Sequence, residues 1–111
     1  MNIPFEPLEG GGYRNVYRLA LTVTAFFETH QHWPDRLIAN REYVLDLFEK
    51  IPKDWHEPVL KRLRFELSEE ADALIVADSA GRAMDYSTAA QQREAQAGCD
   101  WLFSKPVKMA F

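Results

Sequence analysis

Residues 60–86 constrain the fold of this chain more than any other stretch. Leu63, Phe65 and Leu67 alternate with Arg62, Arg64 and Glu66, the period-two pattern of a strand with one buried and one wet face. A polar, acidic link follows (Ser68, Glu69, Glu70, Asp72). Ala73, Leu74, Ile75, Val76 and Ala77 then form a continuous apolar run, which suits a central strand covered on both faces. Asp78-Ser79-Ala80-Gly81 is turn chemistry: Asp can bond its own backbone, and Gly accepts positive φ. Residues 82–86 return as a third strand. Such a meander is not stable alone in water and needs helices against one face. The predicted fold is therefore α+β: helices packed on one face of a small antiparallel β-meander, in a single domain.

The flanking sequence supplies those helices. Over residues 13–29, Tyr17, Leu19, Leu21, Val23, Ala25 and Phe27 alternate like a strand. Val16, Leu19, Ala20, Val23, Phe26 and Phe27 also form a helical stripe, with Asn15, Arg18, Thr22 and Thr29 opposite. The length and that polar face decide for helix. Pro34 ends it. Residues 36–40 read as a short edge strand or as the start of the next helix. Asn40 as an N-cap favours the strand. Val44, Leu47, Phe48 and Ile51 then have the spacing of a buried helix face. Asp54 with Glu57 resembles a capping box, opening a short helix with Val59, Leu60 and Leu63 inward. Thr88 with Gln91 resembles another, opening a helix to about Phe103. In that helix Gly98 should cost roughly 1 kcal/mol relative to Ala. The expected organisation is an extended N-terminal arm (1–12), an α+β domain (13–104) and a C-terminal tail (105–111).

Composition limits the function. At 111 residues with a 47% apolar fraction, one packed core is expected and global disorder is not. Thirteen basic residues face 17 acidic ones, a net charge of −4. That balance disfavours a protein living on phosphate contacts. The single cysteine, Cys99, permits no intramolecular disulfide and fits a reducing compartment, so a cytoplasmic protein is expected. Residues 16–27 are too short and too polar to span a bilayer, and the N-terminus lacks a secretory pattern.

No catalytic constellation stands at diagnostic spacing. His30, His32 and His56 are the one histidine set that could ligate a metal, and a catalytic zinc needs three such ligands converging. The competing reading is of helix-end histidines that favour the dipole. Ser79 sits in a turn, unlike a nucleophile elbow, and no His follows it. Gly10-Gly11-Gly12 lacks the partners of a phosphate loop. Cys99, late in a helix, reads as a structural thiol. No cofactor is expected.

Three function classes follow. The leading one is a small, acidic, non-enzymatic protein–protein interaction module, an adaptor or inhibitor, with a homodimer as one form. Its candidate contacts are Trp33 and Trp55, at element boundaries, and Phe5 and Leu8, apolar anchors of the arm. The second is a small metal-dependent hydrolase using His30, His32 and His56. The third is an RNA-binding module using Arg62 and Arg64 on one exposed strand face.

Overall fold

The computed structural model describes residues 2–3, 14–51, 53–70, 73–89, 95–103 and 108–109. Helix α1 (Arg14–His30) is central. It buries Val16, Leu19, Ala20, Val23 and Phe26 as its stripe demands, and also Leu21, Thr22 and Thr24. The threonines tolerate burial because each hydroxyl donates back one turn, Thr22 to Arg18 O and Thr24 to Ala20 O, both at 2.7 Å. Thr22 thus leaves the wet face expected for it.

Gln31 ends α1 with φ +64°, and its N–H donates to Phe27 O at 2.7 Å. This is a left-handed cap three residues before Pro34, a position that favours glycine. Gln31→Gly should therefore stabilise the fold by about 0.5–1 kcal/mol, readable as a raised urea midpoint.

Strand β2 (Arg36–Asn40) feeds directly into α2 (Arg41–Lys50). Asn40 Oδ1 accepts from Tyr43 N at 3.0 Å, which makes it the N-cap. A 3-10 turn (Lys53–Trp55) leads into α3 (His56–Arg62), then β3 (Arg64–Ser68), β4 (Leu74–Ala77) and β5 (Ala83–Asp85). Helix α3 has no side-chain cap, so the capping box expected at Asp54 and Glu57 does not form. Helices α4 (Tyr86–Ala89) and α5 (Gln96–Leu102) replace the single helix expected to about Phe103, and residues 90–94, Gln91 included, lie outside the described residues. Two short strands, β1 (Asn2–Ile3) and β6 (Lys108–Met109), pair in parallel.

The class is α+β, but the sheet is not a meander. Its order is β3-β2-β4-β5, with β2 parallel to β3 and antiparallel to β4. Strand β2 sits where the sequence pattern puts a β3–β4 hairpin. Leu37 and Ala39 are fully buried, so β2 suits the interior. Strand β3 carries exposed Arg64, Glu66 and Leu67 and suits an edge. The link at 69–73 only has to step over one strand, about 10 Å.

Register sorts the two faces. Phe65, Leu67, Leu37, Ala39, Leu74, Val76 and Met84 share one face, and α1 packs against β4 and β5 there. Arg36, Ile38, Arg64, Glu66, Ile75 and Asp85 share the other.

Candidate functional site

The loop after β4 is built on Asp78, which is only 5% exposed. Its Oδ1 accepts from Ala80 N and Arg82 N, both at 2.9 Å, while Gly81 turns the chain at φ +89°. Its Oδ2 faces His32 Nε2 at 2.6 Å and Arg82 Nε at 3.8 Å. Burial alone raises the Asp78 pKa. The His32 hydrogen bond, the two N–H donors and the Arg82 charge outweigh it, so the carboxyl is held below its ordinary range.

This geometry bears on the histidine set. His32 Nδ1 lies 3.0 Å from His30 O, so both of its ring nitrogens face oxygen acceptors inside the chain. His30 packs its ring on Phe26, 6.3 Å from that of His32. His56 is held elsewhere, Nε2 3.2 Å from Ile51 O and its ring edge-on to Phe48. Among the described residues no group of three or more His, Cys, Asp or Glu side chains is arranged to hold a metal. Histidines one residue apart at a helix end can converge, but here one is turned into the β4–β5 loop and the other onto Phe26.

Arg62 and Arg64 do not share a strand face. Arg62 closes α3 and donates from Nε to Trp101 O at 3.0 Å, while Arg64 opens β3 and is exposed. The alternation starting at Arg62 holds only from Arg64 onward, because a helix occupies the preceding residues.

The two boundary tryptophans differ: Trp33 is half-buried, as expected of it, and Trp55 is buried. Trp33 is stacked on both sides, on Phe27 at 4.4 Å and on Trp101 at 4.8 Å, and ties α1 to α5. Trp55 is 4% exposed and packs on Phe103 at 4.7 Å, so the partial exposure expected of it is absent. Phe5 and Leu8 lie outside the described residues. Cys99 is fully buried, and burial with the nearby Asp100 pushes its thiol up to about 12. Such a thiol is no nucleophile near neutral pH.

A polar cavity of about 250 Å³ opens between α1, α2 and α4. Arg18 lies over the Tyr86 ring at 5.3 Å, Tyr43 Oη donates to Asn15 O at 2.7 Å, and Asn15 Nδ2 donates to Asp46 at 2.8 Å. Burial raises the Tyr43 pKa well beyond the usual phenol range. These groups are engaged with one another and form a clasp between helices.

The least satisfied surface is apolar. Among the described residues three large hydrophobic side chains are exposed, Leu45 and Leu60 at 58% and Leu67 at 65%. Each lies one helical turn or one strand repeat from a member of one half-buried cluster. Phe48 meets His56 at 4.9 Å and Phe65 at 5.3 Å. Leu45 is one helical turn before Phe48, Leu60 one turn after His56, and Leu67 one strand repeat after Phe65. The sequence pattern placed Leu60 and Leu67 inward. Helix α3 buries Val59, with Leu63 directly after its end, and leaves Leu60 turned about 100° away. Leu67 follows the core alternation but lies on an edge strand with too little above it.

No protein-family model, curated protein or solved structure matches the chain. No helix among the described residues is long and apolar enough to cross a membrane.

Proposed function

We propose that this chain is a non-enzymatic protein–protein interaction module that binds through the apolar corner of α2, α3 and β3. The observation that carries this is the exposure of Leu45, Leu60 and Leu67, each one helical turn or one strand repeat from Phe48, His56 or Phe65 of one ring cluster. Single exposed apolar residues are ordinary on a surface, whereas three about one cluster mark a binding face. The rings of His32 and His56 face internal oxygens, that of His30 packs on Phe26, and the Cys99 thiol is raised by burial. This favours the adaptor form; only the net charge of −4 speaks for an acidic inhibitor. The lone buried cysteine suits a cytoplasmic setting.

The test is a double variant, Leu60→Asp with Leu67→Asp, compared with the wild type in partner capture from source-cell lysate. Both side chains are more than half exposed, so folding stability should change by only about 0.5 kcal/mol for each. Proteins retained by the wild type should be released by the double variant. Ala83→Asp, at the exposed β5 edge, should retain them. Equal retention by the wild type and the double variant would place binding elsewhere.

A further inference from the structure

Strand β3 is an edge of the sheet, and its outer rim adjoins the leucine corner. We propose that the corner's partner is a second copy of this chain, joined by antiparallel pairing of β3 with β3 about a two-fold axis at Phe65. This rests on the interaction reading above and specifies its occupant.

The rim has the right parity. Arg64 donates its N–H to Asp35 O at 2.9 Å, toward β2. Main-chain groups alternate sides along a strand, so those of Phe65 and Leu67 face outward. An antiparallel pair must therefore match odd residues with odd ones and even with even. Three such registers keep the pair centred within the strand, and charge separates them. Centring on Glu66 sets two carboxylates opposite each other, which is repulsive. Centring on Leu67 sets Glu66 opposite Ser68 and leaves both carboxylates without a cation across the strand. Centring on Phe65 sets Arg64 opposite Glu66 of the other copy, twice, once on each side of the axis.

That register also answers the apolar exposure. Phe65 meets its own copy, a favourable cross-strand aromatic pair. Leu67 comes opposite position 63 of the other copy, where the Leu63 side chain is buried and its N–H donates to Val59 O at 3.0 Å, so the ladder stops there and Leu67 lies against the end of α3. Residue i meets residue j and j meets i, as an isologous two-fold interface requires. The other edge, β5, offers only three residues, two of them exposed and one of those acidic, and is the poorer template. Both Glu66 oxygens already accept from Arg36 Nη1 on the same face, at 3.2 and 3.4 Å, and each keeps a further lone pair for Arg64 of the other copy.

The experiment is sedimentation equilibrium of the full chain from low to several hundred micromolar, with native mass spectrometry on mixtures. The wild type should dimerise reversibly. Arg64→Glu alone and Glu66→Arg alone should each shift the equilibrium at least tenfold toward monomer, since each sets like charges opposite. An equimolar mixture of the two variants should recover the dimer as a heterodimer, because every opposed pair is then complementary. Thermal melts of each variant exclude unfolding as the cause. An Arg64→Glu chain that dimerises like the wild type overturns the register, and a mixture with no heterodimer overturns the strand pairing. A wild type monomeric throughout overturns the second copy as partner. In that case proteins still released by the Leu60/Leu67 variant leave the interaction reading standing, and none released removes both.

Discussion

Gly98→Ala is expected to destabilise this chain by about 3 kcal/mol. Intrinsic helix propensity points the other way, since alanine is better than glycine by roughly 1 kcal/mol inside a helix. Packing reverses the sign. Gly98 is where α5 lies against α1, and a Cβ added there would run into Ala20 O, come within 2.5 Å of Thr24 Oγ1 and within 2.8 Å of Val23 Cγ2. Two of those atoms cannot move freely. Ala20 O belongs to the α1 backbone, and Thr24 Oγ1 is held between Ala20 O, to which it donates at 2.7 Å, and Gly98 N, from which it accepts at 3.0 Å. Relief would push α5 away from α1 and expose Cys99 and Leu102, both fully buried. Equilibrium urea unfolding of wild type and variant reads this directly. An unchanged or raised midpoint would contradict the close approach of the two helices.

Asp78→Ala should lower the melting temperature by several degrees, more than His32→Ala does. The Asp78 carboxylate holds Ala80 N, Arg82 N and His32 at once, and removing it leaves the turn's N–H groups without acceptors beside the sheet. Asp78→Asn keeps one acceptor oxygen and should fall between wild type and Ala. The pH dependence has a definite sign. The folded carboxyl titrates below its ordinary range, so its stabilisation is complete above the unfolded value, about 4, and is lost as pH falls through the folded value. The gap between wild type and Asp78→Ala should therefore stay constant from neutral pH to about 5 and close on further acidification. A gap that widens in acid would contradict the ionised, hydrogen-bonded carboxylate.

Local rules carried much of this fold into the sequence. The α1 stripe, the Asn40 cap, the Asp78 turn with Gly81, and the buried run of β4 each depend on residues within a few positions of one another. What they could not reveal was non-local. Strand β2 pairs with β3 in parallel across two intervening helices, and no short-range pattern sets that neighbour. Gly98 reads as a weak helix residue until α1 is laid across it. Trp55 stands at an element boundary, yet Phe103 packs on it and it is buried, whereas Trp33 stays half-buried between Phe27 and Trp101. The leucine corner was missed for a related reason. Apolar residues at 59, 60 and 63 look like one face, but a seven-residue helix with an inward stripe at 59 and 63 leaves 60 outside. That surplus was the available signal.

The most direct test of the binding corner is a dilution series followed by amide chemical shifts of the uniformly labelled full chain. Shifts that move with concentration should concentrate on Phe65, Leu67, Leu60 and Leu45, while those of β5 and the Trp33–Trp101 stack stay fixed. Movement centred on β5 or on that stack, with the corner unchanged, would contradict the proposal that this chain binds through the α2–α3–β3 face.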